Sequence, residues 1–172
     1  MDDLGRLVQA PGGEAYDAIV REFGPSVLTA AGEIDRRKLA QTVFSNPRQL
    51  ERLNQIVHPP VRARAAQLEH DFFARVPDGI AVTEAAILIE TGSYRDFDKL
   101  ILVVCTPWQQ LERALARDPG SSREEVAGRL AQQFPLEQKV KYADYIIDTS
   151  GTREHTRSQT QAVYEALRSL NS

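Results

Sequence analysis

The stretch Leu100-Ile101-Leu102-Val103-Val104-Cys105-Thr106-Pro107-Trp108-Gln109 decides the fold class. Its first six residues are an unbroken apolar run of strand length, the pattern of a β-strand buried on both faces. Thr106 and Gln109 then form a capping box with Pro107 at the first helical position, which starts a helix running to about Arg117. Two further runs, Ile80-Ala-Val-Thr-Glu84 and Tyr145-Ile-Ile-Asp148, also read as short strands, and helix signals follow each. Ser122 to Glu125 is a second capping box, opening a helix through Val126, Leu130 and Phe134. Thr152 caps a C-terminal helix with Ala162, Val163, Ala166, Leu167 and Leu170 as its buried stripe. Strands alternating with helices predict an α/β protein with a parallel sheet.

Upstream of these strands the chain reads as helical. Pro11-Gly12-Gly13 breaks it, Ala15 to Phe23 carries a helical apolar face, and Gly24-Pro25 ends that segment. A helix from near Asp35 brings Ile34, Leu39, Val43 and Phe44 to one face. Asn46-Pro47 caps the next, which runs through Leu50, Leu53, Asn54 and Val57 and is expected to stop at His58, before Pro59-Pro60. The expected organisation is a helical domain over 1–77, with an insertion at Asp35 to Phe73, and an α/β portion over 78–172.

Composition bounds the function. The 172 residues are 42% hydrophobic and 26% charged, ordinary for one globular domain, and exclude a disordered or disulfide-framed chain. A net charge of −3 argues against a dedicated nucleic-acid binder. Of the 21 cationic residues only Lys38, Lys99, Lys139 and Lys141 are lysines, and the arginine excess suits bidentate phosphate recognition. Cys105 reads as a buried, inert thiol. No apolar run is long enough to span a bilayer and the N-terminus lacks a secretion signal, so a cytoplasmic protein without a membrane partner is expected. His58, His70 and His155 are scattered, so no metal site is read from them. Trp108 and Tyr142 read as packing residues.

In an α/β sheet, ligands bind beyond the carboxyl ends of the strands, here at Glu84 to Glu90, Thr106-Pro107 and Asp148 to Gly151. Between the last two strands lie Arg113, Arg117, Arg123, Arg129, Gln133 and Lys139. Arg113 and Arg117 are four apart on one helix, where like charges repel and a bridging polyanion would relieve the cost. A solvated arginine-rich face with Glu112, Glu124 and Glu125 as partners fits the same spacing.

Arg6-Leu7-Val8, Gly32-x-Ile34-Asp35-Arg36-x-x-Leu39 and Leu53-Asn54-x-Ile56-Val57-His58-Pro59-x-Val61-Arg62, in that order, resemble the substrate domain of bacterial dephospho-CoA kinases. Gln110 to Asp118, Arg129-Leu-Ala-Gln-Gln133 and Lys139-x-x-x-Ala143-Asp144-x-Ile146-Ile147-Asp148 resemble that family's lid and last strand, so the likeness runs over about residues 1 to 151. It implies a P-loop kinase-like, three-layer parallel sheet with a helical substrate-binding insertion and a lid at about 113–140. The implied reaction moves the γ-phosphoryl of ATP, with Mg²⁺, to the 3′-hydroxyl of dephospho-CoA. It further implies that Arg113 and Arg117 meet phosphate charge, that Asp2, Arg6, His58 and Glu90 face the substrate, and that Arg129, Gln133, Lys139, Thr149 and Gly151 lie on the ATP side. His58 equally reads as a structural residue at a helix end. Ala86 stands where the family usually has Pro, and Thr149 where it usually has Asn.

The family opens with a strand and a phosphate loop, Gly-x-x-x-x-Gly-Lys-Ser/Thr. No lysine of these 172 residues follows a glycine or precedes Ser or Thr. Asp2 matches the second Asp of the family's Asp-x-Asp pair. The expectation is a chain that begins partway through the domain, without the central first strand and the loop, on the order of 25 to 30 residues short and inactive as it stands. The alternatives are a non-catalytic binding module for CoA or dephospho-CoA and another P-loop small-molecule kinase. Nothing in the sequence indicates an oligomeric state.

Overall fold

The computed structural model describes residues 2–44 and 46–170, with the side chains of Asp2 and Phe44 outside the description. The chain divides into two compact units, Met1–Ala85 and Ala86–Ser172.

The first unit is helical: α1 (Asp2–Gln9), α2 (Tyr16–Phe23), α3 (Arg36–Phe44) and α4 (Pro47–Arg75). Val8, Ala15, Ile19, Val27, Leu39, Val43 and Val61 are its buried core, flanked by Leu4, Phe23, Ile34, Leu53, Ile56 and Val57. The turn between α1 and α2 needs glycine, because a Cβ on Gly13 would lie 2.5 Å from the carbonyl oxygens of Leu7 and Val8. Asp35 starts α3 by accepting from the Arg37 and Lys38 amides at 3.1 and 3.2 Å. Asn46 caps α4 with Pro47 at its start, as the sequence suggests.

The helix does not stop at His58. It runs for 29 residues through Pro59 and Pro60. Each proline removes one amide donor and crowds the carbonyl four residues back, which in an isolated helix costs about 3 kcal/mol. Packing outweighs that cost here: Leu53, Val57 and Val61 are four apart, and only a helix kept in register through the proline pair brings all three to the core.

The second unit holds a parallel pair, β1 (Ile101–Val104) and β2 (Tyr145–Asp148), in the register Ile101↔Tyr145 to Val104↔Asp148. Between them run α5 (Pro107–Arg117), α6 (Arg123–Ala131) and α7 (Leu136–Lys139), and α8 (Arg153–Leu170) follows β2. Both capping boxes form with all their bonds, at Thr106 with Gln109 and at Ser122 with Glu125. Helix α6 ends at Ala131, so Phe134 lies beyond it, in the turn leading to α7.

Three expectations are corrected here. Ile80 to Glu84 forms no strand: among the described residues the sheet has two strands, and with no neighbour to complete a ladder this segment lies open, Val82 being 77% exposed. The strands are not buried on both faces, since Val103 is 61% exposed and Ile146 is also open. The stripe of α8 is only partly covered, with Val163, Ala166 and Leu167 half-buried and Ala162 and Leu170 exposed, because the sheet it faces is narrow. Cys105, just past β1, is half-buried for the same reason. No helix among the described residues is long and apolar enough to cross a membrane.

Candidate functional site

In the first unit, Arg6 on α1 lines a small hollow of about 170 Å³ with Gln9, Ala10, Pro11, Glu33, Ile34 and Arg36. Among the described residues its one ion pair is long, 3.9 Å to Asp3. Asp2 cannot be placed, because its side chain lies outside the described residues. His58 sits in the middle of α4, not at its end, and is half-buried. It lines an open groove of about 490 Å³ with Glu51, Asn54, Gln55, Pro59 and Arg62. Burial, and then the charge of Arg62, push the His58 imidazole below the ordinary histidine value. His58 is therefore neutral near pH 7 and offers one donor and one acceptor to the groove. The proline pair also leaves α4 carbonyls without intrahelical donors along this part of the helix.

In the second unit the loops after β1 and β2 are stitched together. Arg113 on α5 donates to Thr149 Oγ1 and to the Thr149 carbonyl, both at 2.8 Å. Thr149 donates its hydroxyl to the Val104 carbonyl at 2.9 Å, and Gln109, besides closing its capping box, donates to the Ser150 carbonyl at 2.9 Å. Asp148 accepts from the Ser150 amide at 2.8 Å, and its Ser150 contacts hold the carboxyl below its ordinary range. Gly151 follows directly. Arg113, Thr149 and Gly151 are thus brought together at the carboxyl ends of the strands, where an α/β sheet places its ligands. Arg113 commits two of its five donors to Thr149 and keeps three. Arg117, one turn on, is exposed and makes no hydrogen bond or ion pair among the described residues.

Arg129 reaches Asp118 at 3.0 Å and Ser121 at 3.1 Å, and Arg123 reaches Glu112 at 2.6 Å while lying over the ring of Trp108. Trp108 is thus an exposed, arginine-capped ring, not a core residue. Tyr142 packs on the ring of Tyr94 at 5.2 Å.

Glu90, Gln133 and Lys139 meet one another. Lys139 Nζ lies 2.9 Å from Glu90 Oε1 and donates to Gln133 Oε1 at 2.9 Å, and the Phe134 amide donates to the same Glu90 oxygen at 2.9 Å. Burial pushes the Glu90 carboxyl up, but the Lys139 hydrogen bond and charge and the Phe134 N–H outweigh it, and it sits below the ordinary glutamate value. Lys139 is therefore paired internally, and Glu90 faces the chain's own lysine. Asp144, named from the sequence only as part of the last-strand motif, accepts from the Leu100 amide at 2.8 Å and pairs with Lys99 at 3.1 Å, locking the start of β1 to that of β2. An acidic residue directly before a strand was the available signal.

The family described as dephospho-CoA kinase matches residues 1–155. A dephospho-CoA kinase of Aquifex aeolicus is 41% identical over 169 residues, covering 96% of this chain and 83% of the relative. The chain belongs to the dephospho-CoA kinase family. A second relative, the dephospho-CoA kinase of Geobacillus kaustophilus, is 40% identical over 94% of this chain and 80% of its own length. Among solved structures, TT1252 from Thermus thermophilus aligns with a TM-score of 0.73 at 30% identity, over 96% of this chain and 82% of that one. The dephospho-CoA kinase from Campylobacter jejuni aligns with a TM-score of 0.65 at 25% identity, over 99% and 84%.

The family is one of phosphotransferases and implies ATP as co-substrate, and the fold class of the chain is α/β as expected. In P-loop kinases Mg²⁺ is held by one or two protein groups, water and the nucleotide phosphates rather than by a protein cage, and among the described residues no three of His, Cys, Asp and Glu converge.

Proposed function

We propose that these residues supply the acceptor-binding and lid parts of an enzyme that moves the γ-phosphoryl of ATP to the 3′-hydroxyl of dephospho-CoA. One observation carries the reading. At the carboxyl ends of the two parallel strands, Arg113 is held by Thr149 with three donors to spare, and Arg117 stands one turn away with its charge unpaired among the described residues. Phosphoryl transfer needs positioning and stabilisation of charge spread over the equatorial oxygens, and a guanidinium fixed beforehand costs no reorganisation when that charge develops. Arg113 is the preorganised donor and Arg117, one turn on, the second guanidinium that meets phosphate at the foot of the lid, residues 113–140. Thr149 and Gly151 border the nucleotide side of this end of the sheet.

Arg129, Gln133 and Lys139 shape the lid through their internal pairs. On the acceptor side, Arg6 faces an anionic group of dephospho-CoA, Asp2 lies four positions before it in sequence, and neutral His58 hydrogen-bonds the acceptor in the α4 groove. Calorimetric titration with dephospho-CoA tests this. Saturable binding is expected, weakened about tenfold or more by Arg6→Ala and by His58→Ala, the equivalent of roughly 1.4 kcal/mol each. Absence of binding, or binding indifferent to both variants, would refute the acceptor assignment.

A further inference from the structure

The Glu90 cluster sits where the proposed lid rejoins the sheet. Lys139 closes α7 and Phe134 lies in the turn between α6 and α7. Three bonds gather on this turn, from Lys139 to Glu90 Oε1, from the Phe134 amide to the same oxygen, and from Lys139 to Gln133. Both side chains of the Glu90–Lys139 pair are only 12% exposed. Nearby, Tyr94 packs on Tyr142 and carries the Arg95 guanidinium over its ring, so the segment around 90–95 grips the chain on both sides of Lys139. At the other end, Arg113 is tied to Thr149 by two bonds of 2.8 Å. Between these ends the contacts are of another kind. Arg123–Glu112 and Arg129–Asp118 are exposed pairs, with 43–49% of each side chain open to solvent, and exposed pairs contribute little and part easily.

We propose that Glu90 is a positioning residue that fixes the C-terminal foot of the lid through Lys139 and the Phe134 amide, so that lid motion is confined to residues 118–132 while Arg113 and Lys139 stay in place. The proposal rests on reading 113–140 as the lid. Its energetic logic lies in the second carboxylate oxygen: Glu90 Oε2 is buried and has no hydrogen-bond partner among the described residues. Glu90 thus tolerates burial only because Oε1 has both Lys139 and the Phe134 N–H, and a buried charge that loses its partner is strongly penalised. Among the described residues Lys139 is the one charged side chain acting on Glu90, whose other partners, the Phe134 N–H and its own backbone, are neutral.

The test is amide hydrogen exchange on the full chain, read as protection corrected for the intrinsic pH dependence of exchange. In the unaltered protein the paired carboxyl is depressed, so protection at Phe134 and across 133–139 holds at neutral pH and falls as acid protonates Glu90. In Lys139→Met the carboxylate is buried without a cation and its pKa rises, so protection there is about 100-fold lower at pH 7 and recovers on acidification. Glu90→Gln combined with Lys139→Met removes both charges, and protection returns to within about threefold of the unaltered value with no pH dependence in the acid range. Amides of α8 serve as the global control. Identical pH profiles in the unaltered and Lys139→Met proteins, or a loss shared equally by α8, overturn the proposal. Exchange with ATP and dephospho-CoA added separates it from the reading it rests on: slowed exchange across 118–132 with coincident pH profiles overturns the anchor alone, and opposed pH profiles with no response across 118–132 overturn the lid alone.

Discussion

Replacing Arg113 by methionine removes its two bonds from α5 to the loop after β2, leaves the Gln109–Ser150 bond, and keeps an unbranched apolar stem. Hydrogen bonds from a charged donor contribute about 1.5–3 kcal/mol when sheltered. Arg113 is exposed and Thr149 half-buried, so about 0.5–1 kcal/mol for each of the two bonds is the appropriate scale, or about 1–2 kcal/mol together. With a urea dependence of about 1.5 kcal/mol/M, the unfolding midpoint drops by roughly 0.7–1.3 M. Lysine at the same position keeps a charge but cannot form the fork to Thr149, so Arg113→Lys loses about half as much. The chain has a single tryptophan, Trp108, on the first turn of α5 itself, so its fluorescence reports this unit directly. Midpoints unchanged in both variants would refute the stitching of the two loops by Arg113, and with it the claim that this guanidinium is preorganised.

Ile19 is fully buried at the centre of the helical unit, and Ile19→Ala should cost about 2–5 kcal/mol, seen as a lowered helical melting temperature by circular dichroism. Thr106→Ala opens the capping box of α5 and should cost about 1 kcal/mol in the Trp108-monitored urea transition. The Asp144 carboxyl is held below its ordinary value by the Leu100 N–H and then by Lys99, so its contribution is present at neutral pH and is lost as pH falls through the depressed value. Melting temperature recorded from pH 7 down to pH 2 should accordingly drop less steeply in Asp144→Asn than in the unaltered protein.

What the sequence made legible was local. Asn46-Pro47, Thr106 with Gln109 and Ser122 with Glu125 start helices through bonds that span three residues, and all three start helices where expected. A strand is different, because its stability belongs to a neighbour. Ile80-Ala-Val-Thr-Glu84 has the composition of a strand, yet without an adjoining ladder it stays open. The proline pair misled for a related reason: the local rule ends a helix at His58, whereas the tertiary contact of Val61 with the core carries α4 onward. Candidate site residues could be named one by one, since the ordered motifs carry the family likeness, but their pairings could not. Arg113 finds Thr149 and Glu90 finds Lys139 across 36 and 49 positions, distances at which spacing in the sequence carries no geometric information.

The central claim is that these residues bind dephospho-CoA as the acceptor of a phosphoryl transfer. A binding isotherm for dephospho-CoA on the unaltered chain and on Arg6→Ala and His58→Ala tests that most directly. The account predicts saturable binding that each variant weakens about tenfold or more. A flat isotherm, or binding indifferent to both variants, would contradict dephospho-CoA as the acceptor.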